Sequence, residues 1–167
     1  MREEQYKMVT QFCTATKSRT NTITALHDIL PMIMIVFYPL QLLCLFINDG
    51  FASEAFLKVL IVPLVVLIAV TLTRYLINAK RPYEVYDYTP VVPKKTKGKS
   101  FPSRHTASAF IIAMAFMYLK VELGIIMLVI ATVIGITRVV SGAHFVRDVI
   151  GGAFIGIICG LLGFYLI

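Results

Sequence analysis

The chain has 167 residues, of which 58% are hydrophobic and 15% charged, and its formal net charge at pH 7 is +7. A mean hydropathy of +0.82 excludes an ordinary soluble domain and predicts a multi-pass protein of the cell membrane. The positive charge does not indicate nucleic-acid binding, because Lys and Arg are confined to short polar segments between apolar runs. Anionic lipid head groups or a phosphorylated lipid are the better partners. The cysteines at positions 13, 44 and 159 show no metal-ligand spacing.

The N-terminal segment, residues 1–28, is polar and contains interleaved apolar residues such as Tyr6 and Phe12. This pattern fits either an amphipathic helix on the membrane surface or a solvated tail. The apolar run that follows is too long for a cleavable signal peptide, so none is predicted. Residues 29–167 are predicted to form a single transmembrane domain.

Hydropathy predicts an all-α fold, a bundle of about five spanning helices, in this second segment. A spanning helix needs about 20 mostly apolar residues. The candidate spans are 29–47, 55–77, 104–119, 124–141 and 148–167. In the last span, Gly152, Gly156 and Gly160 recur every four residues, which predicts close helix packing. Packing within the monomer is favoured over a dimer interface. The one long polar connection, 83–101, is rich in lysine and serves either lipid attraction or simple solubility.

Polar residues at membrane depth carry the strongest functional signal, because they are costly there. Successive spans cross the membrane in opposite directions. One membrane face therefore holds the end of the second span, the start of the third, the end of the fourth and the start of the fifth. The unusual polar residues of the chain fall at that face: Arg74, Arg81, Ser103, His105, Arg138, His144 and Asp148. One such polar segment can be explained as a turn whose charged side chains reach the membrane interface. That explanation does not account for three segments that converge on one membrane face.

The residue types in this cluster indicate phosphoryl transfer. Arginines with few carboxylates suit a multiply charged anion, because the guanidinium fork matches phosphate oxygens. His144 and Asp148 are four residues apart and share a helix face. His144 is then a nucleophile for phosphorus, and His105 a general acid for the leaving oxygen. Since Asp148 is the only acidic residue of the cluster, neither a metal nor another cofactor is predicted.

Three ordered motifs within residues 74–148 also carry a family resemblance. They read Arg74-x6-Arg81-Pro82, Pro102-Ser103-Arg104-His105 and Thr137-Arg138-x5-His144-x3-Asp148. They resemble the Lys-x6-Arg-Pro, Pro-Ser-Gly-His and Ser-Arg-x5-His-x3-Asp motifs of the type 2 phosphatidic acid phosphatases (PAP2). The resemblance implies that His144 is the nucleophile, His105 the general acid and Asp148 the carboxylate beside His144. It also implies phosphate binding by Arg74, Arg81, Ser103 and Arg138.

The chain departs from the family pattern in three motif positions and in its number of predicted spans. Arg74 replaces a lysine, Thr137 replaces a serine, and Arg104 replaces a glycine. Arg104 either crowds the pocket or adds a phosphate contact, and we include it among the predicted phosphate-binding residues. Membrane members of the family usually have six spans, so the first family helix is absent here or reduced to the N-terminal segment.

The sequence thus predicts a membrane lipid phosphatase that acts on a phosphomonoester or pyrophosphate. The family makes phosphatidic acid, phosphatidylglycerol phosphate and polyprenyl phosphates or diphosphates the expected substrates. A phosphotransferase and a non-catalytic anionic-lipid binding protein are the alternatives. The excess of Lys and Arg around the cluster predicts a cytoplasmic site, whereas bacterial members of the family commonly face outward. The oligomeric state stays open.

Overall fold

The computed structural model describes residues 2–93 and 96–166, and within this part all regular structure is helical. The helices are α1 (Glu3–Thr14), α2 (Lys17–Asp49), α3 (Glu54–Ile77), α4 (Pro82–Val85), α5 (Arg104–Leu119), α6 (Val121–Val140) and α7 (Val146–Leu161). A π-helical turn, Leu162–Leu166, continues α7. The predicted all-α class is confirmed.

In the described part of the chain, four segments are long and apolar enough to cross a membrane, one fewer than predicted. They are Lys17–Asp49, Glu54–Val85, Val121–Val140 and Val146–Leu166. The segment predicted as a third span, α5, has only 16 residues. At 1.5 Å per residue it is about 24 Å long, which is less than the hydrocarbon thickness of about 30 Å. α5 can be short because it is the central helix, shielded by its neighbours.

The N-terminal part of the chain folds into two helices. α1 turns Tyr6 and Cys13 inward and leaves Met8 and Phe12 exposed. α2 begins at Lys17 rather than at residue 29, because the Thr16 side chain accepts a hydrogen bond from the Arg19 backbone N–H and caps the helix there. Both helices pack against the bundle, and α1 contacts α6 as well as α2.

The core surrounds α5 on two sides. On one side Ala107 and Ile111 pack with valines of α3, and on the other Ala109 and Ala113 pack with α2 and α6. The glycines of α7 let it approach α5 closely: a Cβ at Gly156 would lie 2.9 Å from the Ala107 carbonyl oxygen. The predicted packing of this glycine row inside the monomer is therefore confirmed. The same approach brings the start of α7 next to the start of α5, where the polar residues lie.

Candidate active site

The predicted polar residues occupy helix ends that meet at one pole of the bundle. Arg74 lies in the last turn of α3 and Arg138 in the last turn of α6. Arg104 and His105 begin α5, and Asp148 is in the first turn of α7. His144 lies in the short connection between α6 and α7. We call this region the site pole.

His144, Asp148 and Ser100 form a buried hydrogen-bonded group at the site pole. Oδ2 of Asp148 lies 3.4 Å from Nδ1 of His144 and accepts hydrogen bonds from the Ser100 hydroxyl at 2.5 Å and the Phe145 backbone N–H at 3.0 Å. His144 is 3% exposed and Asp148 is fully buried. Because Nδ1 is turned toward the carboxylate, Nε2 is the ring nitrogen left for chemistry.

Burial controls the charge of the His144 ring. It lowers the pKa of His144 from 6.5 to about 4, and the positive charges of Arg81 and Arg74 act in the same direction. The Asp148 carboxylate opposes the shift but does not cancel it. The imidazole is therefore neutral near pH 7, which is the state that a nucleophilic nitrogen requires.

Two buried arginines tie the surrounding loops together. Nη1 of Arg74 donates to the carbonyl of Pro102 at 2.6 Å and to that of Ser100 at 3.4 Å. Arg81 donates from Nε to the Gly98 carbonyl at 3.1 Å and from Nη1 to the Ala143 carbonyl at 3.2 Å. A guanidinium has five N–H donors, so each arginine keeps donors for an anion. These bonds also hold the loop that carries Ser100 beside His144.

The charges at the site pole favour an anionic ligand. Within residues 2–93 and 96–166, the salt bridges join Lys7 to Glu3, Lys58 to Glu54, and both His144 and Arg147 to Asp148. No carboxylate in that part of the chain pairs with the arginines at positions 74, 81, 104 and 138. Several neighbouring guanidinium groups without acidic partners are typical of a phosphate site.

Ser103 is fully buried between α5 and α7. Its backbone N–H donates to the carbonyl of Asp148 at 2.8 Å, which fixes the start of α7 on the start of α5. Ser103 occupies the N-cap position of α5, but its side chain makes no capping bond to the helix. Its hydroxyl instead accepts a hydrogen bond from the Thr106 hydroxyl at 3.0 Å.

Arg138 is held from the side of α2. Its Nη1 bonds to the ring of His27, and its Nη2 donates to the His27 carbonyl at 3.1 Å. Arg138 is 3% exposed and His27 is 2% exposed. Within the described residues, Nε of Arg138 has no hydrogen-bond partner. The structure thus places this guanidinium against His27 and leaves its Nε donor unused.

A group of aromatic rings covers the outer side of the His144 loop. The Tyr6 hydroxyl donates to the His144 carbonyl at 3.3 Å, and the Tyr88 hydroxyl donates to the Gly142 carbonyl at 2.8 Å. The Tyr6 ring stacks on Tyr88 and meets the edge of Phe145. Sequence analysis did not identify Tyr6, Ser100 or His27 as part of the site, and no motif marks them.

His105 and Arg104 face a different environment from His144. Both are exposed and line a cavity of about 500 Å³ whose remaining wall is almost entirely apolar. That wall comes from α2, α3 and α5, with Ile134 of α6, and includes Met34, Tyr38 and Leu64. The site pole therefore opens onto an apolar space large enough for part of a lipid.

Comparison with known proteins identifies the family. The family model of the PAP2 superfamily matches residues 55–167. The chain belongs to the PAP2 superfamily. The family resemblance of the three motifs is thereby confirmed.

Curated PAP2 relatives match part of the chain. It is 34% identical over 88 residues to a lipid A 1-phosphatase of Porphyromonas gingivalis, covering 48% of this chain and 19% of that protein. It is 30% identical over 84 residues to the undecaprenyl-diphosphatase BcrC of Bacillus subtilis, covering 50% of this chain and 43% of that protein. The matched part spans less than half the length of each of these relatives.

Solved structures match nearly the whole chain. The crystal structure of Aquifex aeolicus LpxE superposes with a TM-score of 0.73 at 28% identity, covering 96% of this chain and 92% of that one. A transmembrane PAP2 type phosphatidylglycerolphosphate phosphatase from Bacillus subtilis shares the fold, with a TM-score of 0.67 at 22% identity over 95% of this chain and 82% of that one. These matches support a multi-pass membrane protein.

Proposed function

We propose that this PAP2 protein is a lipid phosphatase that hydrolyses a phosphomonoester or pyrophosphate bond of a membrane lipid. The observation that carries the proposal is the site pole itself. There a buried neutral imidazole and arginines without carboxylate partners adjoin an apolar cavity that His105 lines. The names of the relatives, a lipid A 1-phosphatase and an undecaprenyl-diphosphatase, support the same class of substrate.

In the first step, Nε2 of His144 attacks the phosphorus atom. The bond between phosphorus and the lipid oxygen breaks, its electron pair stays on that oxygen, and His105 supplies the proton. Asp148 keeps the His144 ring in place and stabilises the positive charge that the ring gains. The remaining donors of Arg74 and Arg81 stabilise the equatorial phosphate oxygens, which is usually the largest catalytic contribution.

In the second step, water hydrolyses the phosphohistidine. His105 accepts a proton from the water, the water oxygen bonds to phosphorus, and the N–P bond returns its electron pair to His144. Inorganic phosphate then leaves. We assign Ser103 and Arg138 to phosphate binding as well, Arg138 through its charge and its remaining Nε donor. In this mechanism the arginines neutralise the charge of the phosphate.

The hydrocarbon part of the substrate fits the apolar cavity between α2, α3 and α5. Its volume of about 500 Å³ lies within the usual range of ligand pockets. Because His105 lines this cavity, a chain bound there places its phosphate-bearing end at the site pole.

A phosphate-release assay tests the proposal. Purified protein in detergent is incubated with phosphatidic acid, phosphatidylglycerol phosphate, and a polyprenyl phosphate and diphosphate, with His144→Gln as the matched inactive control. Release from at least one lipid by the wild type and not by the variant is the expected result. Binding without release, or transfer of labelled phosphate to an organic acceptor, would contradict a phosphatase.

A further inference from the structure

Arg104 differs from the other arginines of the site pole in its environment. Arg74, Arg81 and Arg138 are at most 9% exposed and bond to neighbouring residues. Arg104 is exposed at the first position of α5 and lines the apolar cavity together with His105. Its charge nevertheless acts on Arg74, so it lies within electrostatic reach of the phosphate site.

The position of the cavity fixes the direction in which the leaving group departs. In an in-line displacement, the leaving oxygen lies opposite the attacking nitrogen. That oxygen carries the lipid, and the apolar cavity is the space that accepts a lipid chain. His105, which protonates the leaving oxygen in the proposed mechanism, lines the same cavity. Arg104 is therefore on the side of the leaving group, whereas Arg74 and Arg81 are on the side of the transferred phosphoryl group.

We propose that Arg104 binds a phosphate group that stays on the lipid, and that the preferred substrate class is accordingly a lipid diphosphate. The proposal rests on the phosphatase function argued above. An alcohol leaving group offers Arg104 no anion, but a phosphate leaving group offers oxygens that match the guanidinium fork. Negative charge on that phosphate grows as the bond breaks, so Arg104 stabilises the transition state more than the bound substrate.

The reaction on a diphosphate balances without any further reactant. Nε2 of His144 attacks the terminal phosphorus, and the bond from this phosphorus to the bridging oxygen breaks. The electron pair remains on the bridging oxygen, which becomes a terminal oxygen of the lipid monophosphate held by Arg104. Water then cleaves the phosphohistidine and releases inorganic phosphate. The product lacks the second phosphate, so it is a poorer substrate than the diphosphate.

The test uses two substrates with the same chain, farnesyl diphosphate and farnesyl monophosphate, and compares their kcat/KM values. The variants are Arg104→Gln, which keeps most of the side-chain volume, Arg104→Lys, which keeps the charge, and Arg104→Gly, which restores the family residue. The wild type should prefer the diphosphate. Arg104→Gln and Arg104→Gly should each lower kcat/KM for the diphosphate about tenfold or more, the usual effect of losing a charge-assisted hydrogen bond. Arg104→Lys should retain part of the preference, and the monophosphate should change much less.

Each remaining outcome overturns the proposal in a distinct way. Equal losses on both substrates would place Arg104 on the transferred phosphoryl group. Gains on both substrates in the glycine variant would show that Arg104 only crowds the pocket. If the wild type releases phosphate from neither compound nor from the wider lipid panel, the phosphatase function itself fails. A wild type that prefers the monophosphate would overturn the assignment of substrate class alone.

Discussion

At the scale of single residues, the contacts of Asp148 decide what His144 can do. Its Oδ2 atom faces Nδ1 of His144 and is itself held by Ser100 and the Phe145 backbone. The ring can therefore present only Nε2 to a substrate, and burial keeps that nitrogen unprotonated. These features support the proposed role of His144 as the nucleophile more strongly than the spacing of the motif alone.

Replacing His144 by glutamine should abolish most of the activity while leaving the arginines in place. We expect kcat to fall by about a thousandfold or more, as is typical when a nucleophile is lost. Substrate binding should largely survive, because the positive charge of the site pole is unchanged. Phosphate release and equilibrium lipid binding, measured on the same detergent preparation, separate the two effects. Residual activity within about tenfold of the wild type would exclude His144 as the nucleophile.

The lowered pKa of His144 also predicts how stability depends on pH. In the unfolded chain a histidine binds a proton below about pH 6.5, whereas folded His144 stays neutral down to about pH 4. The unfolded state therefore takes up more protons in this window, so the contribution of His144 makes the protein less stable as the pH falls from 6.5 to 4. The apparent Tm of His144→Gln should fall less steeply over this range than that of the wild type. Parallel curves would show that His144 titrates normally.

At the scale of helices, hydropathy locates the apolar spans well but not every helix end. The predicted spans 55–77 and 124–141 correspond closely to α3, Glu54–Ile77, and α6, Val121–Val140. The start of α2 was missed because residues 17–28 are polar, and hydropathy detects where a helix leaves the apolar layer rather than where it begins. The length of α5 is a tertiary property, since only a helix enclosed by others can be this short.

Motif spacing places the main polar residues at one pole, but their additional partners depend on the fold. Ser100 reaches Asp148 because the fold holds the loop of residues 98–102 against the start of α7, with hydrogen bonds from Arg74 and Arg81 to its carbonyls. His27 lies far from every motif in the sequence and meets Arg138 only through the packing of α2 on α6. A single sequence contains no local signal for such pairs.

The link between α2 and α6 provides a prediction at this scale. His27→Leu should destabilise the protein by about 2–4 kcal/mol, because it removes the imidazole ring to which the buried Arg138 guanidinium bonds and disturbs a packed contact. His27→Gln is the matched control, since its amide oxygen can accept a hydrogen bond from Arg138. Thermal unfolding in detergent measures both variants. If the leucine variant is as stable as the glutamine variant, the contact with Arg138 contributes nothing to the fold.

At the scale of the whole molecule, the two ends of the helical bundle differ, because the site pole lies at one of them. One end of the bundle holds the charged N-terminal segment, the long polar connection and the proposed catalytic residues. The opposite end carries little positive charge, contributed by Lys58 and Lys120. α1 belongs to the site pole because Tyr6 bonds to the His144 loop. The basic residues of the N-terminal segment, among them Lys7 of α1, therefore count with those of the site pole in deciding the orientation.

We propose on this basis that the site pole faces the cytoplasm, because positive residues are retained on that side of the membrane. Several site arginines have a proposed role in phosphate binding and therefore say nothing about orientation. The basic residues of the N-terminal segment, among them Lys17 and Arg19, have no such role. The test places single cysteines at Thr96, beside the site pole, and at Glu122, at the opposite pole, in a background without the three native cysteines. Both positions are exposed. A membrane-impermeant thiol reagent added to intact cells should label position 122 and spare position 96, and both should react after lysis. The reverse pattern in intact cells would show that the site faces outward, and that the basic residues of the N-terminal segment and of the long connection do not set the orientation of this protein.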